Sequence, residues 1–326
     1  MVLISAIISF LITAVSGKFI IEKLRVLKFG QTIYEDGPAW HKAKNGTPTM
    51  GGIMFLLGVI AASIISVIVF AVSAGEFAFY DLVPVISGLL LALGNCLIGF
   101  IDDYIKVVKK RNLGLTAKQK LVFQFLLAAA FLFSLYITGS VSTEIEFPFG
   151  TLNLGFFYYP VMALMIVFVT NAVNLTDGID GLAATTTSVC ALGYVVIATL
   201  LGYTLTANIA AALLGGVCGF LIYNSHPAKV FMGDTGSMFL GGMVVMLSFT
   251  VKRPEIIILM GAIYIIEALS VVLQVISFKT TGKRIFLMSP IHHHYEKKGL
   301  SEKQIVVFFS AVELIFVCLA VAYVLI

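Results

Sequence analysis

The chain has 326 residues, of which 60% are hydrophobic and only 12% charged, with a mean hydropathy of +1.04. Soluble chains run nearer half apolar and a quarter charged, and disorder requires few aliphatic residues and abundant charge, so both are excluded and most of the chain must lie in lipid. The formal net charge is only +4, which makes the positions of the basic residues more informative than their total.

A bilayer core about 30 Å thick takes roughly 20 apolar residues per helix. Runs of that kind fall at about 1–21, 50–73, 81–101, 120–138, 157–173, 181–201, 205–223, 236–251, 255–277 and 303–326. They predict an all-α integral membrane protein with about ten transmembrane helices, a single polytopic domain over 1–326. The first run has no basic leading region and no small-residue cleavage site, so it reads as a retained span rather than a signal peptide. Cys96, Cys190, Cys218 and Cys318 lie inside apolar runs with no CxxC pair, as expected of free thiols rather than a disulfide framework or zinc site. Between the fourth and fifth runs, 141–155 alternates apolar and polar residues around Pro148-Phe149-Gly150, which predicts a small outer β-hairpin. The loops after the odd-numbered spans, together with Lys18, hold nineteen of the 21 Lys and Arg, leaving only Lys252 and Arg253 on the other side. By the positive-inside rule those loops are cytoplasmic and both termini lie outside.

The acid-rich and His-rich stretches fall in the same inner loops, an asymmetry that predicts a cytoplasmic active site. The first inner loop ends His41-Lys42-Ala43-Lys44-Asn45-Gly46-Thr47-Pro48-Thr49-Met50-Gly51-Gly52. Thr47 and Pro48 suit a simple helix cap, and equally a positive helix end beside lysines where a phosphate binds. Span three closes on Gly99-Phe100-Ile101-Asp102-Asp103-Tyr104-Ile105-Lys106. Adjacent carboxylates there are costly and gain nothing from a C-terminal helix dipole, so they suit a divalent cation, or a base with an orienting partner. Lys106, one turn beyond Asp102, can balance the charge. Span five runs into Asn171, Asn174, Asp177 and Asp180 at every third residue, read as one polar helix ridge forming a binding site. Phe231-Met232-Gly233-Asp234-Thr235-Gly236-Ser237 opens span eight, where Asp234 is either a helix cap or a ligand for metal-bound phosphate. The last inner loop carries Pro290-Ile291-His292-His293-His294-Tyr295-Glu296; without zinc-type spacing, these imidazoles among lysines favour phosphate.

Taken together, HKAKNGTPTMGG, GFIDDYIK, NAVNLTDGIDGLA, FMGDTGS and PIHHHYE, in order from about Gln31 to Tyr295, strongly resemble the phospho-N-acetylmuramoyl-pentapeptide-transferase family, within the polyprenyl-phosphate N-acetylhexosamine-1-phosphate transferases. Tyr34 and Tyr295 depart from the family's usual Arg and Phe, away from the acidic positions. The resemblance implies an Mg2+-dependent transferase in the bacterial plasma membrane, its catalytic face cytoplasmic, acting early in peptidoglycan synthesis. Undecaprenyl phosphate would attack UDP-MurNAc-pentapeptide directly, releasing UMP and leaving lipid I. It also implies Asp234, Asp102 and Asp103 as catalytic and Mg2+-holding residues, with Asp102 as base or positioner of the lipid phosphate. Asn171, Asn174, Asp177 and Phe231 would hold the uridine end. Lys42, Thr47, Lys118, Lys120, His292, His293 and His294 would meet phosphates or sugar. Partners would be the two substrates, membrane lipid and a second copy in a homodimer, with no nucleic-acid polymer. The alternatives are a sibling transferring GlcNAc-1-phosphate and, in another class, a secondary transporter using Glu267 and Glu313 as coupling sites.

Overall fold

In lipid every backbone N–H and C=O has to be satisfied within its own segment, so apolar runs of this length become helices. The computed structural model describes residues 1–27, 44, 46–74, 79–108, 114–147 and 150–326. Its helices are α1 (Val2–Val26), α2 (Gly52–Ala74), α3 (Phe79–Val108), α4 (Ala117–Ile137), α5 (Tyr158–Thr176), α6 (Leu182–Leu200), α7 (Thr204–Asn224), α8 (Gly233–Thr250), α9 (Ile257–Met260), α10 (Ala262–Thr281), α11 (Ile291–Lys297) and α12 (Glu302–Leu325). Among the described residues nine of these, α1 to α7 with α10 and α12, are long and apolar enough to cross a membrane. Strands β1 (Glu144–Phe147) and β2 (Gly150–Asn153) pair antiparallel with Glu144 opposite Asn153. That is the hairpin expected from the alternation, although Pro148 and Phe149 lie outside the described residues.

Two of the ten expected spans take a different form. The eighth, α8, carries Asp234 in its first turn and several Gly, Ser and Thr further on, and it falls outside the nine. It needs no apolar exterior, because every residue from Thr235 to Thr250 is buried against α3, α5 and α2. The contact is made backbone to backbone. A Cβ on Gly99 of α3 would lie 2.1 Å from the Asp234 carbonyl oxygen, and one on Gly52 of α2 would lie 2.3 Å from Gly236 Cα. Small residues at helix crossings are how membrane bundles gain dispersion contact without a hydrophobic drive.

The ninth expected span, 255–277, is broken rather than continuous. A 3-10 turn over Pro254–Ile256 leads into the single-turn α9, and the chain restarts as α10 after Gly261. The break leaves first-turn N–H groups of α10 without partners inside the helix. Glu313 of α12, fully buried, reaches across and accepts from the Ile263 N–H at 3.0 Å. A helix start in the apolar interior is thus capped by a side chain from another helix.

Glu313→Ala should strand that buried donor at a cost of about 1–3 kcal/mol, whereas Glu313→Gln keeps an oxygen in place. The midpoint of thermal unfolding of the purified protein in detergent should therefore fall clearly further for the alanine variant than for the glutamine one.

Candidate active site

The Asp102–Asp103 pair sits inside α3, which continues to Val108, and its neighbours along the helix point different ways. Asp103 turns toward α8, whose N-cap residue Met232 supplies no side-chain bond of its own. Its carboxylate accepts from the Asp234 N–H at 3.2 Å, the Thr235 N–H at 2.9 Å and the Thr235 hydroxyl at 2.7 Å. A carboxylate at a helix N-terminus satisfies orphan donors and the helix dipole together. Gly233, at φ +70°, makes room for it, since a Cβ there would sit 2.5 Å from Asp103 Oδ2.

Asp102 faces the polar side, with its carboxylate enclosed. Lys106 Nζ lies 2.6 Å from its Oδ2, Lys120 Nζ 3.1 Å from its Oδ1, and the Leu115 N–H donates to Oδ1 at 2.7 Å. The same two ammonium groups reach Asp234 Oδ2, at 3.3 Å from Lys106 and 2.7 Å from Lys120. Asp102, Asp103 and Asp234 each offer an oxygen, and these lie within 4.8 Å of one another. Such a set of hard oxygen donors fits Mg2+, and the two lysines offset part of the acids' mutual repulsion. Lys118 is exposed on the first turn of α4, away from this centre.

The four polar residues at intervals of three do not form one ridge. Three helical residues turn the chain through about 300°, so each step drifts about 60° around the axis. Asn171 accordingly faces α4, donating to Gln124 Oε1 at 2.8 Å and to the Val167 carbonyl. Asn174 faces α8, where its amide donates to Asp234 Oδ1 at 3.1 Å and Ser237 Oγ at 2.8 Å. The helix ends at Thr176, and Asp177 and Asp180 sit on the turn that follows. Asp180 is tied beneath: Lys44 Nζ lies 2.8 Å from its Oδ1 and 2.7 Å from Glu302 Oε1, and His226 Nδ1 lies 3.0 Å from its Oδ2. Those acids and His226 have the spacing of a metal group, but Lys44 supplies the cation. Asn224 Oδ1 accepts from the Gly181 N–H and completes the anchoring.

Thr47 and Phe231 lie where the first inner loop meets the start of α8. The Phe231 N–H donates to the Pro48 carbonyl at 2.9 Å, and the Gly51 N–H donates back to the Phe231 carbonyl at 2.8 Å. Met50 between them adopts φ +68°, a left-handed conformation that costs a residue with a Cβ roughly 1–2 kcal/mol. Lys42, His41 and Tyr34 lie outside the described residues. The three histidines occupy α11, a short helix between α10 and α12. His293 and His294 are half-buried, with His293 Nδ1 2.5 Å from Glu296 and His294 Nδ1 accepting from the Leu287 N–H. His292 is fully enclosed, its ring beneath Gly178 and beside Glu267.

Ser237, Thr235, Gln124, Asn224 and Glu302 were not singled out for the site by sequence. Hydroxyls and amides in apolar helices usually bond their own backbone, so their residue types carry no signal.

Comparison with known proteins fits this arrangement. Residues 85–252 match the model of glycosyl transferase family 4, and residues 44–56 match phospho-N-acetylmuramoyl-pentapeptide-transferase signature 1. The chain is 47% identical over 321 residues to a protein of Halalkalibacterium halodurans named phospho-N-acetylmuramoyl-pentapeptide-transferase, covering 98% of this chain and 96% of that one. A protein of the same name from Bacillus subtilis is 45% identical over 323 residues, covering 98% and 97%.

The acids of the site differ in how readily they hold charge. Burial works against ionisation of Asp234, but Lys106 and Lys120 outweigh it and hold that carboxyl below the usual carboxylate range. Asp177 is pushed well above it by burial, with the charges of Asp234, Asp103 and Asp180 adding and Lys44 only partly relieving. A carboxyl raised on folding costs stability once the pH climbs above its unfolded value, and the cost is complete above the folded one. Asp177→Asn should therefore raise the thermal unfolding midpoint near pH 7.5, with the gain shrinking toward about pH 4, measured in detergent at both values.

Proposed function

The chain belongs to the phospho-N-acetylmuramoyl-pentapeptide-transferase family, and from that premise we propose that it transfers phospho-MurNAc-pentapeptide from UDP-MurNAc-pentapeptide to undecaprenyl phosphate, giving lipid I and UMP. The observation that carries this reading is the meeting of Asp102, Asp103 and Asp234 around Lys106 and Lys120. Two anionic phosphates have to approach each other in this reaction, and that needs cationic groups and a metal site of hard oxygens within reach. The catalytic face is cytoplasmic, in keeping with the basic inner loops.

An oxygen of the lipid phosphate forms a bond to the β-phosphorus, while the bond from that phosphorus to the bridging oxygen breaks and UMP leaves with the electron pair. A lipid phosphate is already an anionic nucleophile, so no covalent enzyme intermediate is needed. Asp234, with Asp102 and Asp103 beside it, would hold Mg2+, which would neutralise phosphate charge. Asp102 positions the lipid phosphate or takes its proton, and Asp103 holds the start of α8 so that Asp234 faces the phosphates. Lys120 and Lys106 turn from the carboxylates toward phosphate oxygens. Asn174 and Asp177, with Asn171 braced against Gln124 of α4 and Phe231 stacking, hold the uridine end. Lys42, Thr47 and Lys118 with His293 and His294 line the approach of phosphate and sugar, and His292 acts from beneath.

A relative's name and the signature over 44–56 favour the MurNAc-pentapeptide donor over the GlcNAc sibling. The transporter reading loses its coupling sites, since Glu313 caps α10 and Glu267 lies against His292.

Purified protein given UDP-MurNAc-pentapeptide, a polyprenyl phosphate and Mg2+ should release UMP, and chelation should stop it. Asp234→Asn should slow release by about a hundredfold or more. UMP release from UDP-GlcNAc instead would reassign the donor, and a labelled phospho-enzyme trapped in a single turnover would overturn direct attack.

A further inference from the structure

Glu267 has no part in the chemistry above, although burying a carboxylate in a membrane bundle is costly unless it is paired. It lies on α10, one turn beyond the Ile263 N–H that Glu313 holds. Its side chain and that of His292 are both 0% exposed, and His292 Nδ1 stands 3.1 Å from Glu267 Oε2. No hydrogen bond among the described residues satisfies either carboxylate oxygen or either ring nitrogen, so each group is the other's electrostatic partner.

The imidazole is held on three sides. Glu267 stands at Nδ1, and the His293 ring lies 4.1 Å away, centroid to centroid. On the opposite edge Nε2 meets Gly178, where a Cβ would come within 2.2 Å. The foot of this assembly is firm, because Tyr295 of α11 meets Phe308 and Phe309 of α12 edge-on at 5.7 and 5.8 Å. What rests on it is less secure. The turn from Asp177 to Gly181 contains two glycines and places Asp177 near Asp234, Asp103 and Asp180. Crowding by those acids does not hold Asp177 in place, and the turn's glycines give it little stiffness of its own, so the His292 ring packed behind Gly178 is what backs it.

We propose that Glu267 is a positioning residue: it fixes the His292 ring against Gly178, and His292 thereby sets the height at which the 177–181 turn presents Asp177 to the nucleotide-sugar. This rests on the transferase reading, with the nucleotide-sugar, and not the lipid phosphate, as the substrate affected.

The test compares Glu267→Ala, Glu267→Gln, His292→Ala and Gly178→Ala with the double variant Glu267→Ala/His292→Ala. Glu267→Ala should raise KM for UDP-MurNAc-pentapeptide about tenfold or more while KM for the polyprenyl phosphate stays within about twofold. Glu267→Gln, which keeps the bulk and a polar oxygen against the ring at Nδ1, should recover most of the loss. Gly178→Ala should reproduce the split from the other edge of the ring. The double variant should be no worse than His292→Ala, as expected of two residues acting in series. Equal rises in both KM values, a glutamine variant as impaired as alanine, or additive losses would overturn the proposal. Hydrogen exchange of the 174–182 amides supplies a readout free of catalysis, and should be faster in Glu267→Ala and His292→Ala than in the unaltered protein. Unchanged exchange sinks the strut and leaves the transferase reading standing. Accelerated exchange in a protein that releases no UMP sinks the transferase reading and leaves the strut.

Discussion

The carboxylate of Asp103 on the first turn of α8 is the contact on which the rest of the candidate site is built. A helix that starts at a membrane surface needs acceptors for its leading N–H groups, and here they come from another helix instead of its own N-cap. That choice locks α3 to α8 at one level, side by side across Gly99. Once the two are in register, Asp102 and Asp234 face each other, and Lys106 and Lys120 fall between them. Asn174 then reaches Asp234 and Ser237 from α5. Asp103 of this centre therefore has a structural duty.

The same device recurs at the break before α10, where Glu313 accepts from the Ile263 N–H. Hydropathy had no means of detecting that break. Ile and Leu stand on both sides of Gly261, so the run stays apolar although the backbone is interrupted. Glu313 itself was conspicuous as a charge inside a span, but its partner is a backbone group fifty positions away in the chain, and residue type alone does not locate it.

Much of the remaining architecture was legible because lipid is a strict solvent. Runs of about twenty apolar residues have only one way to satisfy their backbone, and among the described residues eight of the ten expected runs are continuous helices of membrane-crossing length and composition, while α10 reaches that length only by starting late, beyond the break. The acidic positions were legible for the complementary reason, since charge beside an apolar run is retained against a penalty. Orientation around each helix was harder to read. Asn171 and Asn174 share a motif yet face α4 and α8 respectively, because a three-residue step does not return to the same side of a helix. Lys118 and Lys120 lie two apart, so only Lys120 reaches the carboxylates.

The burial of α8 along its whole length separates the candidate site from the bilayer. Its residues from Thr235 onward meet only protein, so the acyl chains press on α1, α4 and the outer flanks of the bundle instead. Changes in bilayer thickness or fluidity act first on that outer ring, whose helices can tilt to follow the lipid. The helix bearing Asp234 is gripped through glycine contacts at Gly52 and Gly99 and is shielded from that strain. A chain made almost wholly for lipid thus keeps its most demanding geometry on a helix that lipid does not touch.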